Sequence, residues 1–117
     1  MLIPTPGRIL LSLEPVDFRK SIDGLAASVT LALGESALSG TMFVFRNRRG
    51  NGLKLLVWSR GGFVLVYKKL EAGRFRLPNP RDTKRTELSP AETAAILEGI
   101  DLRHAKRLPR WEPQVSP

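Results

Sequence analysis

Three short apolar runs follow one another in the middle of the chain, and tight turns separate them. The runs are Thr41 to Arg46, Leu53 to Ser59 and Phe63 to Lys69. The first turn, Asn47 to Gly52, ends in Asn-Gly, and the second, Arg60 to Gly62, contains Gly-Gly. Such pairs are typical of hairpins. Because loops this short join antiparallel neighbours, the sequence predicts an antiparallel sheet.

Both faces of this sheet are predicted to be apolar. In the second run, Leu53, Leu55 and Val57 point one way, whereas Leu56 and Trp58 point the other. One face can pack on a helix from the preceding segment. The other face needs a second helix, another subunit or a ligand, and the sequence leaves these alternatives open.

A long helix is predicted before the sheet. Apolar residues recur at spacings of three and four, which forms one helical stripe: Phe18, Ile22, Leu25, Val29 and Leu33. Asp17 is the expected N-cap and Gly34 the expected end. A first strand is predicted over Arg8 to Leu13, because Pro15 then interrupts the pattern.

The C-terminal part is predicted to hold a second, short helix. Glu71 to Thr86 is expected to be mostly loop, and Ser89 to Glu92 forms a capping box at the start of a helix that runs to about Glu98. The expected fold is therefore α+β: an antiparallel sheet of about four strands, one long helix packed on it and a short helix near the C-terminus. Residues 1–107 are expected to form one domain, and residues 108–117 a proline-containing flexible tail.

No pattern typical of an enzyme is present. The chain has no cysteine, and its single histidine, His104, lies among basic residues. Neither a dinucleotide-binding nor a P-loop motif occurs, and Glu14, Asp17 and Asp23 do not share one helix face. We therefore predict no catalytic residue, no metal site and no cofactor. No signal peptide or membrane-length apolar run is found, so we expect a cytoplasmic protein.

Charge is the main compositional signal. Lys and Arg number 19 against 11 Asp and Glu, which gives a net charge of +8. Such an excess attracts polyanions and favours contact with nucleic acid. Arginine outnumbers lysine 13 to 6. Genome base composition therefore remains an alternative source for part of the excess.

Three groups of cations are candidate DNA contacts. The first is Arg46, Arg48 and Arg49 on a hairpin turn, followed by Lys54; the second is Arg19 and Lys20; the third is Lys68, Lys69, Arg74 and Arg76. Arginine forks match phosphate oxygens. Arg19 and Lys20 are expected in the first turn of the long helix, where free N–H groups also favour an anion.

Each group also has a purely structural interpretation. The first would be a solvated turn, and the second would be neutralised by Asp17 and by Asp23, four residues after Arg19. In the third group, cations would surround the core residues Tyr67 and Phe75 rather than flank aromatic platforms for single strands. Trp58 and Phe45 are likewise expected in the core.

Several motifs along the chain together resemble one family. They are Asp17-Phe18-Arg19-Lys20 with Asp23-Gly24-Leu25, Phe43 to Arg46, Arg48-Arg49-Gly50, Leu53 to Leu56 with Trp58, Gly62-Phe63, Tyr67 to Glu71, Gly73-Arg74-Phe75 and Leu97 to Asp101. This pattern resembles the TnpB-type accessory protein, or second open reading frame, of the insertion-sequence sixty-six family of bacterial transposable elements. The resemblance covers about Ile3 to Arg103, and Ser59 and Leu102 depart from it.

The resemblance implies a role beside a separate, larger transposase that carries the catalytic residues. The function predicted from the sequence is a non-catalytic accessory protein that binds DNA at the element ends and works with the transposase and other proteins of the element. The alternative is an adaptor that bridges transposase subunits through the second sheet face and does not contact DNA. A metal-dependent nuclease is a third, weaker interpretation. Homo-oligomerisation is left open.

Overall fold

The central strands form where the turn chemistry predicts them. A computed structural model describes residues 6–79 and 84–101. The elements in chain order are β1 (Ile9–Ser12), α1 (Ile22–Leu33), β2 (Met42–Arg46), β3 (Gly52–Ser59), β4 (Gly62–Lys69), β5 (Arg85–Leu88) and α2 (Pro90–Leu97). The α+β class is confirmed. The predicted tail at 108–117 and His104 lie outside the described residues.

The sheet is mixed and has five strands in the order β4-β3-β2-β1-β5. The two hairpins β2–β3 and β3–β4 are antiparallel. β1, however, pairs in parallel with β2 and antiparallel with β5. The prediction of about four antiparallel strands was therefore wrong. The reason is the intervening helix: α1 carries the chain back across the sheet, and such a crossover places the flanking strands parallel.

β5 begins inside Glu71 to Thr86, the segment that the sequence predicts to be mostly loop. Its side chains alternate: Thr86 and Leu88 are buried on one face, whereas Arg85 is half-buried and Glu87 exposed on the other. Half of this four-residue strand is charged, so it lacks the apolar run that identifies the other strands. The capping box that follows is confirmed, since the N–H of Glu92 donates to Ser89 Oγ at 3.0 Å and the N–H of Ser89 to the Glu92 carboxylate at 2.9 Å.

α1 begins later than predicted. Its N-cap is Ser21 and not Asp17. The Asp17 carboxylate instead accepts the N–H of Arg19 at 2.9 Å, and its carbonyl accepts the N–H of Lys20 at 3.0 Å. Arg19 and Lys20 therefore lie in a turn before the helix, and Arg19 pairs with Asp17 rather than with Asp23. The helix ends as predicted at Gly34, whose φ of 63° is left-handed.

Each face of the sheet has its own core. On one face, the buried side chains of Leu25, Val29 and Leu33 from α1 pack on the sheet with half-buried Phe18 and Ile22 at the edge. The predicted helical stripe is therefore confirmed from Ile22 to Leu33, whereas Phe18 joins the same core from the loop before the helix. On the other face, α2 and the segment 70–77 cover apolar residues of every strand. Of the alternatives that the sequence left open for this face, the second helix is the one found, and the segment after β4 packs beside it.

Candidate nucleic-acid interface

The turn between β2 and β3 is held rigidly by its own polar groups. Asn47 Oδ1 accepts the N–H of Gly52 at 3.0 Å, and Asn47 Nδ2 donates to Asn51 Oδ1 at 2.7 Å. Gly50 has a left-handed φ of 75°, which a side chain would make costly. These bonds satisfy the turn internally, so the exposed side chains of Arg48 and Arg49 are free to face solvent.

Gly52 lets the loop before α1 approach this turn. A Cβ at this position would lie 2.9 Å from a ring carbon of Phe18 and 3.1 Å from Asn47 Nδ2. The approach is secured by two further bonds. The N–H of Val16 donates to the carbonyl of Arg46 at 2.9 Å, and the Arg46 guanidinium donates to the carbonyl of Leu13 at 2.9 Å. Residues 13–20 therefore form one wall beside the turn.

Lys54 is buried beneath that wall. The residue is 6% exposed, and its ammonium donates to the carbonyl of Phe18 at 2.9 Å. The same nitrogen lies 4.8 Å from the ring centroid of Phe18 and 5.2 Å from that of Tyr67, within the range of cation–π attraction. The expectation that Lys54 contacts phosphates is therefore not supported by its position, because its charge is engaged inside the protein. Lys54 thereby bonds to the loop that carries Arg19.

The segment after β4 forms a second wall. The N–H of Leu70 donates to the carbonyl of Asn51, and that of Phe75 to the carbonyl of Gly50, each at 2.8 Å. The Phe75 side chain is buried in the core, as predicted, whereas Tyr67, which was expected there too, is 51% exposed. The exposed residues on either side of it, Arg74 and Arg76, are therefore brought next to the turn.

Three clefts surround the turn, and arginines line each of them. The cleft toward residues 15–19 has a volume of about 450 Å³ and is lined by Arg19, Arg48 and Arg49 among others. The cleft toward residues 74–77 has a volume of about 260 Å³, and five arginines line it. We call these five residues the basic surface: Arg46, Arg48, Arg49, Arg74 and Arg76. A third cleft, of about 220 Å³, includes Arg49, Arg74 and Glu71. Arg49 thus belongs to all three clefts.

The charge of the basic surface is largely uncompensated. Within residues 6–79 and 84–101, Arg48, Arg49, Arg74 and Arg76 form no ion pair. Arg19, at the rim of the first cleft, is paired with Asp17 at 2.7 Å. Like charges gathered without counterions repel one another, so an anion that bridges them is favoured.

Comparison with known proteins assigns the chain to a family. The model of a family described as "IS66 Orf2 like protein" matches residues 7–107. The chain belongs to the IS66 Orf2-like family. The predicted resemblance is thereby confirmed.

Two relatives come from Sinorhizobium fredii (strain NBRC 101917 / NGR234). "Uncharacterized protein y4jC" is 37% identical over 114 residues, which cover 97% of each chain. "Uncharacterized protein y4hO" is 36% identical over 107 residues, which cover 91% of this chain and 90% of the relative. No solved structure gives a significant match.

Three other cations predicted as contacts do not line the cleft of the basic surface in this IS66 Orf2-like protein, although Lys69 pairs with Gly52 at the end of the turn. Lys20 Nζ donates to Ser28 Oγ at 3.0 Å along α1. Lys68 donates to the carbonyl of Leu97 at the end of α2. A cation at this position also interacts favourably with the negative end of the helix dipole. Lys69 is exposed at the end of β4. The side chains of Lys20 and Lys68 therefore have hydrogen-bond partners within the protein, and that of Lys69 has none among the described residues.

Asn47 and Gly52 are the residues that sequence reasoning undervalued in this member of the IS66 Orf2-like family. The sequence identifies both only as turn residues. Asn47 in fact bonds across the whole turn, and Gly52 admits the Phe18 ring. A signal for Asn47 exists, because asparagine at the start of a turn commonly bonds the backbone further on. Nothing local to Gly52 shows that Phe18 approaches it.

We expect the carboxyl group of Asp17 to titrate at about pH 2. The side-chain hydrogen bond from Arg19, and then the backbone hydrogen bond from its N–H, lower the pKa of Asp17 from the ordinary 3.8 to about 2. A lowered folded-state pKa stabilises the fold above the ordinary value, and that stabilisation is lost as pH falls from 3.8 to about 2. Carboxyl NMR titration measures this directly. Arg19→Ala should return the midpoint toward 3.8; an unchanged midpoint would contradict the pairing.

No helix among the described residues is both long and apolar enough to cross a membrane. In the same part of the chain, no group of three or more metal-ligating side chains is close enough to hold an ion.

Proposed function

We propose that this protein is a non-catalytic accessory factor of DNA transposition that grips the DNA backbone with its basic surface. Membership of the IS66 Orf2-like family supports the accessory role in transposition. DNA binding is supported by one observation. Exposed arginines surround one rigid turn, and no carboxylate among the described residues pairs with Arg48, Arg49, Arg74 or Arg76. The expected partners are the element ends and the transposase of the same element.

The geometry favours phosphate contact over base reading. Arg48 and Arg49 lie on a short irregular turn, and Arg74 and Arg76 lie on an irregular segment beside it. Neither segment is a helix, and the β2–β3 hairpin is part of a five-stranded sheet, so it is not a separate two-stranded ribbon that could enter the major groove. Arginine forks on such a surface match pairs of phosphate oxygens. Phosphate contacts fix position but carry little sequence information, so binding should be strong in low salt and weakly sequence-specific.

Removal of single arginines tests this proposal. Arg48→Ala and Arg49→Ala should each weaken binding to element-end and random DNA alike. Each should reduce the slope of log affinity against log salt by about one. The measurement is titration of labelled DNA at several salt concentrations. The matched control is Arg60→Asn, which removes a cation from the β3–β4 turn at the other end of β3, where asparagine tolerates the left-handed φ of 49°.

The control should leave the salt slope nearly unchanged. If all three variants lower the slope equally, net charge and not the basic surface governs binding. If one arginine instead reads a guanine, its loss should relax specificity at one base pair and cost about 1–3 kcal/mol there.

A protein–protein adaptor remains the second candidate. The second sheet face, which the sequence offered for that role, is covered by α2 and residues 70–77. The observation that favours an adaptor is different: Leu31 on α1 and Leu38 in the following turn are 86% and 58% exposed. Under this alternative, the Arg48/Arg49 double variant keeps its DNA affinity, and substitution of Leu31 and Leu38 abolishes co-purification with the transposase.

A further inference from the structure

One edge of the sheet is long and regular, and no strand among the described residues pairs with it. β4 is the outermost strand on its side and pairs with β3 at every position from Gly62 to Lys69, without proline or bulge. The opposite edge, β5, is half as long, and two of its four residues, Arg85 and Glu87, are charged. Natural proteins normally protect edge strands with such charges, prolines or bulges. Only the C-terminal end of β4, at Lys68 and Lys69, has this protection.

The hairpin turn identifies which backbone groups of β4 point away from β3. Arg60 and Gly61 both have positive φ, 49° and 80°, which is the conformation of a two-residue hairpin. In such a hairpin the flanking residues exchange both hydrogen bonds, and bonded and non-bonded pairs then alternate. The N–H and C=O groups of Phe63, Leu65 and Tyr67 therefore point outward along the edge.

Apolar side chains on both faces of β4 are also left incompletely covered. Phe63 and Leu65 pack at the border of the core beneath α1, and Val64 and Val66 at the border of the other core. All of them are half-buried, whereas β3 next to them is buried over most of its length. Both cores therefore stop at this edge.

We infer that β4 pairs antiparallel with β4 of a second copy of this chain, about a two-fold axis at Leu65. In this register the outward groups of Phe63 face those of Tyr67, and the two Leu65 residues face each other. The two five-stranded sheets would join into one continuous sheet. Antiparallel strands can pair only where outward-pointing groups meet, and this register satisfies that condition over the whole strand.

The sequence of β4 complements itself in this register. Phe63 lies opposite Tyr67 and Val64 opposite Val66, which are favourable aromatic and β-branched cross-strand pairs. Lys68 lies opposite Gly62, so no two cations face each other. A register centred on Lys68 would oppose the two lysines directly. Complementarity of charge and side-chain type therefore selects a second copy of this strand as the occupant. This inference does not depend on the proposed DNA contact.

A single cysteine tests the register. The chain has no cysteine, so a disulfide can form only where one is introduced. At the axis, paired residues in a hydrogen-bonded position have Cα atoms about 5.5 Å apart, which a disulfide spans. Leu65→Cys should therefore cross-link two full-length chains under mild oxidation. Val66→Cys is the matched control, because its two copies are offset by two residues and lie about 8 Å apart, beyond disulfide reach.

Light scattering and sedimentation of the unmodified full-length chain supply the second measurement, with a dimer expected at micromolar concentration. If Leu65→Cys does not fold, a mixture of Phe63→Cys and Tyr67→Cys chains should cross-link, whereas neither should do so alone. A monomer at all concentrations overturns the inference. A dimer that cross-links through Val66→Cys as readily as through Leu65→Cys overturns it as well.

Discussion

Leu25→Ala is expected to lower the free energy of unfolding by about 2–5 kcal/mol. Leu25 is 0% exposed at the middle of the α1 stripe, among buried residues of β1, β2 and β3. Truncation removes apolar contacts and leaves a cavity that the neighbouring strands cannot fill without shifting. Urea denaturation followed by circular dichroism measures the loss, provided that the transition remains two-state.

The same helix supplies a control for this substitution. Leu31 is 86% exposed, so Leu31→Ala makes the same chemical change at a position without packing. Its effect should stay within about 0.5 kcal/mol. Equal losses for the two variants, or a loss well under 1 kcal/mol for Leu25→Ala, would show that α1 does not pack on the sheet through this stripe.

Simultaneous replacement of Arg48, Arg49, Arg74 and Arg76 by alanine is expected to remove nearly all DNA binding. Each neutralised phosphate adds about 0.9 to the salt slope, so four lost contacts weaken binding by about three to four orders of magnitude at ~0.1 M salt. The four side chains are exposed and make no described ion pair, so the fold should survive. Circular dichroism checks that it does.

This variant also separates DNA contact from partner contact. Under the proposal it loses DNA but still co-purifies with the transposase. If the variant binds DNA as well as the unmodified chain, the basic surface is not the DNA contact. If the variant keeps most of the slope of log affinity against log salt, other cations contact the DNA. Exposed Lys69 is the first of these to test.

The sequence predicts those parts of the fold that are encoded locally. Periodicity locates α1, and turn residues locate the hairpins, because both depend on neighbouring positions. The parallel pairing of β1 with β2 and the strand at 85–88 depend instead on distant partners. Arg85, for example, donates to the carbonyl of Leu33 at the end of α1 and pairs with Glu35 at 3.5 Å, and neither contact has a local signal.

The candidate site is predictable to a similar extent. The arginine-rich turn is apparent from the order of residues, as is its proximity to β3. The burial of Lys54 cannot be predicted in this way. Its position in an alternating strand predicts only which face of the sheet it lies on, and its acceptor is the carbonyl of Phe18 in a distant loop. The approach of Arg74 and Arg76 likewise depends on two backbone bonds from the segment 70–77 to the turn.

The position of β1 has a consequence for the order in which the protein folds. β2, β3 and β4 are joined by short turns and can pair while the rest of the chain is still disordered. β1 instead lies between β2, reached across a helix, and β5, contributed from near the other end of the described chain. Closing so long a loop costs entropy before any contact compensates for it. The last of the described strands to be synthesised therefore completes the sheet beside the first. A chain that stops before Leu88 leaves the buried edge of β1 exposed to aggregation.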